Sequence, residues 1–251
     1  NDDLLFDGCS LVAWPNGMVV VAPSWQEGVL MVDLDQPENC RWIGMGTEDA
    51  LSIGSDALKI IPSDSDGHEE SAELIEDITD AVITGLADYC RKSGIKSIVL
   101  GLSGGIDSAV AACVACAAVG AENVLGIAMP SRYSSQHSLD DARYTAQALG
   151  MQFKIESIDD MHSILEAQID SVLSNGSPVA SENIQSRLRG IIVMAHANAE
   201  GRMAVATGNK SELAQGYCTL YGDMAGGYTP LGDLYKMQVY ALAEVFNSRA
   251  S

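Results

Sequence analysis

Residues 95–108 read Ile95-Lys96-Ser97-Ile98-Val99-Leu100-Gly101-Leu102-Ser103-Gly104-Gly105-Ile106-Asp107-Ser108. The first six form a short β-rich run, and the glycine turn after them leads into an almost wholly apolar helix expected over Asp107–Val119. Two adjacent glycines let a backbone approach an anion closely. A helix starting near Asp107 would aim its unpaired N–H groups at the same place. Ser103 and Ser108 can donate hydroxyl hydrogen bonds to phosphate oxygens. Asp107 would repel phosphate unless a divalent cation lay between them, which implies magnesium. The turn is not a Walker A loop, because no Gly-Lys-Ser/Thr follows, and it lacks the dinucleotide GxGxxG spacing. The plainer alternative is a Gly-rich turn with a Ser/Asp helix cap.

Outward from this turn, strands and helices alternate. A helix is expected from Ser71, with Leu74, Ile75, Ile78, Val82, Ile83, Leu86 and Tyr89 at helical spacing and Gly94 as its stop. Strands follow at Asn123–Met129, Met151–Ile155 and Met203–Ala206, and helices at Leu139–Leu149, Met161–Leu173 and Ile184–Asn198. Strands apolar throughout and alternating with helices imply an α/β fold, a Rossmann-like parallel sheet with helices on both faces. Ligands in such sheets bind beyond the strands' carboxyl ends, which points to the turns after Leu102, Met129 and Ala206.

The N-terminal part has a different pattern. Ser10–Trp14 and Met18–Ala22 flank Pro15-Asn16-Gly17, a hairpin signal. A third run, Val29–Leu34, is expected alongside, and three strands need a partner to complete a core. Residues 36–70 look irregular, and the acidic stretch Pro62–Gly67 reads as a linker.

The 251 residues carry 14 Lys plus Arg against 34 Asp plus Glu, a formal net charge of −20. That excess disfavours nucleic acid and anionic membrane surfaces as partners. No apolar run approaches the ~20 residues of a spanning helix, and the first residues lack a basic signal-peptide region. Six scattered cysteines imply a reducing, cytoplasmic home. Cys113 and Cys116 form a CxxC inside a run of small apolar residues and read as buried structural positions. His68, His137, His162 and His196 share no metal-binding spacing and read as structural or exposed.

The SGGxDS pattern of Ser103–Ser108 resembles the signature of PP-loop ATP pyrophosphatases, adenine nucleotide alpha-hydrolase-like enzymes that split ATP between its α- and β-phosphates. The substrate-specific resemblance lies further on. Ala206–Glu212, Gly216, Tyr221–Gly227, Pro230–Lys236, Met129–Ser135 and Glu182–Arg189 are similar to NAD synthetases of the glutamine-dependent form. Leu5–Ser10 with its hairpin resembles the closing strands of the nitrilase-like glutaminase domain that precedes the synthetase there. The resemblance divides the chain into glutaminase strands over 1–35, a linker over 36–70, and the synthetase domain over 71–251.

The resemblance implies a role for each matching residue. Gly101, Leu102, Ser103, Gly104, Gly105, Ile106, Asp107, Ser108 and Thr207 would bind ATP, with Asp107 and Glu212 ligating magnesium. Asn183, Arg187, Glu212, Asp223 and Lys236 would meet deamido-NAD, and Asp107 and Lys236 would act in catalysis. Read without the resemblance, Glu212 is a solvated carboxylate at a helix start and Asn183 a polar position behind a Ser181 cap. Arg187 and Arg189 form a surface basic face, and Lys236 is a helix-flanking charge.

The implied reaction is ATP-dependent amidation of deamido-NAD through an adenylated carboxylate, with ammonia (from glutamine in the full-length form) as nitrogen donor. A homo-oligomer is expected. The glutaminase triad and the C-terminal closing segment of the family are expected to lie outside this chain, and Cys9 stands where the family has glycine. Two alternatives are another PP-loop enzyme, of the tRNA-modifying or GMP synthetase type, and a nucleotide-binding fragment inactive in isolation.

Overall fold

The computed structural model describes residues 7–14, 19–36, 39–44, 51–52, 72–174, 176–177 and 179–250. The Pro15–Gly17 turn, the Pro62–Gly67 stretch, His68 and the Leu5-Phe6 start of the glutaminase-like segment lie outside these residues. The chain divides into two compact units, Asn1–Ser71 and Ala72–Ser251.

In the first unit, β1 (Leu11–Ala13) and β2 (Val19–Val21) pair antiparallel with Val12 opposite Val20. The third run does not extend this hairpin. As β3 (Gly28–Met31) it pairs antiparallel with β4 (Arg41–Gly44), which also pairs with β5 (Leu51–Ser52). The supposedly irregular 36–70 stretch therefore contributes two strands. Cys40 and Trp42 are both buried, the alternate positions of β4 and its flank. Two buried positions are too short a period-2 signal to read from sequence.

The second unit holds a four-stranded parallel sheet in the order β8-β7-β6-β9. Its strands are β6 (Ile98–Gly101), β7 (Val124–Ala128), β8 (Gln152–Ile155) and β9 (Met203–Val205). The chain moves one way from β6 to β8 and then returns to the far side of β6. The crevice between β6 and β9 is thus the switch point of the sheet, and the 102–105 and 206–209 turns open onto it.

Both faces are covered. Ile98, Leu100, Val124, Met203 and Val205 pack under α1 (Ala72–Ser93), α2 (Ile106–Val119), α3 (Gln136–Leu149) and α8 (Lys236–Ala250). Val99, Leu125, Ile127 and Ala204, the alternate positions, pack under α6 (Val179–Glu200) and Leu165 of α4 (Asp159–Gln168). Ala111, Ala112 and Ala115 of α2 are wholly buried, and their small side chains seat this helix close to the sheet. The expected 161–173 helix is broken at Ile169 into α4 and α5 (Asp170–Leu173).

Gly227 and Tyr228 lie parallel beside β9, with Gly227 N–H donating to Ala204 O at 2.8 Å and Ala206 N–H to Tyr228 O at 3.0 Å. This segment pairs the outer edge of β9 that the short sheet leaves open.

Candidate active site

The glycine turn is built from its own hydroxyls. Ser103 N–H donates to Ser108 Oγ at 3.2 Å, Ser108 Oγ donates to Gly105 O at 2.9 Å, and Gly105 N–H donates to Ser103 Oγ at 3.2 Å. Gly104 has φ +83°, and a Cβ there would stand well inside contact distance of the Ser138 carbonyl oxygen. Only glycine lets the turn pass this close to α3. Gly105 caps α2 without any side-chain hydrogen bond, so the helix mouth carries its positive end toward the turn.

Asp107, in the first turn of α2, is gripped at both oxygens. Asn209 Nδ2 donates to Oδ1 at 2.9 Å, and Lys236 Nζ forms an ion pair with Oδ2. Lys236 opens α8, also lying 5.6 Å from the Tyr240 ring centroid. Asn209 caps α7 (Lys210–Gln215) in a reciprocal box: its Oδ1 accepts from Glu212 N–H and its own N–H donates to Glu212 Oε2, both at 3.0 Å. Two carboxylates from the ends of neighbouring strands thus meet one asparagine, with a lysine beside them. These hard oxygen ligands suit magnesium, which takes one or two carboxylates and completes its shell with water and phosphate. Among the described residues no group of three or more His, Cys, Asp or Glu offers an all-protein metal cage.

Next to this cluster is a cavity of about 470 Å³, lined by Gly101, Leu102, Ser103, Met129, Ser134, Ser138, Ser186, Arg189, Gly190, Thr207 and Asp223 among others. All three turns singled out by the strand pattern border it. Its walls are mostly apolar, with Arg189 among the few charged groups. Arg189 Nε donates to Met129 O at 3.1 Å, and burial pulls its basicity down. The expectation that Arg187 and Arg189 share a surface face is therefore corrected: Arg187 is exposed and Arg189 lines the cavity. Positions two apart on a helix point to different sides, and the buried Leu188 between them marks the turn toward the core.

Asn183 and Arg187 do not line the cavity. They lie on α6 and hold the following loop: Thr219 Oγ1 donates to Asn183 Oδ1 at 2.8 Å and Arg187 Nε to Leu220 O at 3.2 Å. Asp223 joins the same seam, its Oδ1 accepting from Thr219 N–H at 2.7 Å while its N–H donates to Ser186 Oγ at 3.0 Å. A Cβ at Gly190 would come within 3.0 Å of the Tyr221 and Gly222 carbonyls. Ser181 does not cap α6, which begins at Val179; its hydroxyl instead donates to Glu166 Oε1 at 2.6 Å.

Sequence reasoning missed Asn209 and Arg189. The Asn-x-x-Glu spacing at 209–212 is a legible capping signature, but nothing local marks the reach to Asp107. Cys113 and Cys116 are half-buried rather than fully buried, and desolvation pushes their thiols up to about 11 and about 12. Thiols held that high are poor nucleophiles and poor metal ligands. His137 is exposed, His162 is buried, and His196 is paired with Glu156 and Glu200 at 2.7 Å each.

A parallel sheet with an SGGxDS turn at its switch point, beside paired carboxylates and a lysine, defines a PP-loop nucleotide-binding α/β protein. Comparison with known proteins narrows the class. The profile described as NAD synthase matches residues 78–249, and the chain belongs to that family. It is 47% identical over 241 residues to the glutamine-dependent NAD(+) synthetase of Rhodobacter capsulatus, covering 95% of this chain and 40% of that protein. The structure of the glutamine-dependent NAD+ synthetase from Acinetobacter baumannii in complex with ADP superposes with a TM-score of 0.80 at 35% identity, over 99% of this chain and 43% of that one. The NH3-dependent NAD synthetase from Campylobacter jejuni gives 0.64 at 34% identity, over 69% of this chain and 73% of that one. The chain spans less than half the length of the curated relatives it matches. Among the described residues no helix is long and apolar enough to cross a membrane.

Proposed function

We propose that this chain carries the synthetase half of a glutamine-dependent NAD synthetase: ATP-dependent conversion of deamido-NAD to NAD, with AMP and pyrophosphate released. The observation that carries the reading is the meeting of Asp107, Asn209, Glu212 and Lys236 at the glycine turn, beside the cavity. The family match and the relatives named above support the substrate.

In the first step a nicotinate carboxylate oxygen attacks the α-phosphorus of ATP. The bond from that phosphorus to the oxygen bridging to the β-phosphate breaks, and pyrophosphate leaves. In the second step ammonia attacks the acyl carbon, AMP departs with the carboxylate oxygen, and the nitrogen sheds one proton. The 101–108 turn and the mouth of α2 hold the phosphates, with Ser103 and Thr207 donating hydroxyls while Ser108, its proton given to Gly105 O, braces the turn. Lys236 releases Asp107 and meets the phosphates or the adenylate. Asp107 and Glu212 are the residues that would hold magnesium, which supplies charge neutralisation at the phosphates. Arg189 presents a cation within the cavity, where an apolar wall strengthens it. Asn183, Arg187 and Asp223 face deamido-NAD once the 217–227 loop adjusts. No covalent nucleophile is required, because positioning and electrostatics supply most of the barrier reduction.

Residues 1–35 are read as closing strands of a nitrilase-like glutaminase domain and 36–70 as the connection to the synthetase domain at 71–251. Alignments to the relatives run through this region, covering 95–98% of the chain. Ammonia comes from glutamine in the longer polypeptide, and the protein works in the cytoplasm as a homo-oligomer.

The test mixes the chain with ATP, magnesium, deamido-NAD and ammonia, then quantifies NAD, AMP and pyrophosphate. Equal amounts of all three, dependent on deamido-NAD, are expected. Pyrophosphate release driven by another acceptor, a tRNA or xanthosine monophosphate, would move the chain to a different PP-loop enzyme. Nucleotide binding without turnover would make it an inactive fragment.

A further inference from the structure

We infer that Asn209 is a positioning residue that locks Asp107 and Glu212 into one constellation for a divalent cation. The inference rests on the reading of those two carboxylates as magnesium ligands. Asn209 is 1% exposed, and its amide is used at both ends. Nδ2 donates to Asp107 Oδ1 at 2.9 Å across 102 positions of sequence, while Oδ1 accepts from Glu212 N–H at 3.0 Å. Its backbone N–H donates to Glu212 Oε2 at 3.0 Å, so the asparagine touches both carboxylates directly.

The capping function alone does not call for this residue. Ser, Thr, Asp and Asn all cap helices by accepting a hydrogen bond from the first turn. What only asparagine adds is a neutral N–H donor aimed at a carboxylate of another element. Aspartate would place a third negative charge beside two others, and serine is too short to reach. The donor fixes Asp107 Oδ1 while the cap fixes the Glu212 backbone, so α2 and α7 present their carboxylates at a set separation. Lys236 holds the other oxygen of Asp107, its ammonium pairing with the carboxylate that would otherwise be open to a divalent cation. Polar groups that orient metal ligands from behind commonly change metal affinity about 10–100-fold when removed.

The experiment uses Asn209→Ser and Asn209→Thr, which keep a capping oxygen but cannot donate to Asp107. Binding of a non-hydrolysable ATP analogue is followed by calorimetry across a magnesium titration, alongside thermal melting and analogue binding without metal. The expected result is a rise of about tenfold or more in the magnesium concentration at half-saturation. Melting and metal-free binding should stay near those of the unsubstituted chain. An unchanged magnesium requirement overturns the inference, as does an equal loss of metal-free binding. Failure of both variants to fold also overturns it, since ordinary caps would then not replace what Asn209 does. If the unsubstituted chain binds the analogue with no response to magnesium, the metal reading itself fails; a magnesium response unaltered in both variants removes the positioning role alone.

Discussion

Asp107 has a cation and an amide on its two oxygens, and Glu212 shares that amide's residue, so the chemistry of the cluster depends on single atoms. Asp107→Ala removes one proposed metal ligand and leaves Lys236 without its ion pair. Magnesium-dependent pyrophosphate release should fall by ~100-fold or more, measured by coupled phosphate assay. Near-normal turnover would remove Asp107 from the site. Arg189→Met keeps much of the side chain's apolar length and deletes the cavity cation; the KM for ATP or deamido-NAD should rise about tenfold with melting unchanged. His196 gives a pH prediction away from the site. Its hydrogen bonds to Glu200 and then Glu156 raise its pKa above 6.5, against an opposing desolvation, while Glu200 is lowered to about 2. The native state therefore holds the histidine proton more tightly than the unfolded chain. That stabilisation is complete below the unfolded value and is lost as pH climbs through the raised one. Denaturant melts of His196→Gln should show their largest deficit in mildly acidic buffer and converge with the unsubstituted chain in alkali. At this scale the position of Asp107 was legible because a carboxylate at a glycine turn and helix start calls for a cationic partner, and the structure supplies Lys236. Asn209 and Arg189 were not, because their partners, Asp107 and Met129, lie far away in sequence.

The glycine turn and the seam between α6 and the 217–227 loop both border the cavity. Gly104→Ala adds a Cβ at φ +83° against the Ser138 carbonyl, where left-handed backbone alone costs roughly 1–2 kcal/mol. Nucleotide affinity should fall more than overall stability, measured by calorimetry beside melting; equal nucleotide affinity would mean the turn does not hold phosphate. Gly222→Ala would press on Ser186 Oγ, and the strain should appear as a higher KM for deamido-NAD with ATP little affected. Strands β6, β7 and β9 were readable because buried parallel strands are apolar throughout, whereas β8, at the sheet edge, carries exposed Gln152 and Lys154 and departs from that expectation. The β4 strand was not readable, since two buried positions make no period. The break at Ile169 also escaped, because residues 161–173 keep apolar spacing across it. The 230–236 match gave residues without an element; the structure shows that Lys236 starts α8 and so reaches Asp107.

Each of the two units has its own strands, and the Ala72–Ser251 unit has both hydrophobic clusters that cover the parallel sheet. Residues 72–251 expressed alone should fold cooperatively and bind an ATP analogue as the 251-residue chain does; loss of folding would show that the first unit supplies missing core. The fold class was legible at this scale from the alternation of strands and helices around one glycine turn, and the family from the motifs after it. Within residues 7–52 the β1–β2 hairpin was legible from its turn, but the pairing of β3 with β4 and of β4 with β5 was not, because short strands with few buried positions leave their partners unspecified. The net charge of −20 leaves cations scarce, which makes the placement of Arg189 in the cavity and Lys236 on Asp107 the more telling. The most direct measurement follows one oxygen. Deamido-NAD labelled with ¹⁸O in its carboxylate is turned over with ATP, magnesium and ammonia, and the AMP is analysed by mass spectrometry. One ¹⁸O atom in each AMP is the predicted result, because the carboxylate oxygen bonds to the α-phosphorus and stays there. Unlabelled AMP, or ADP in its place, would contradict the account.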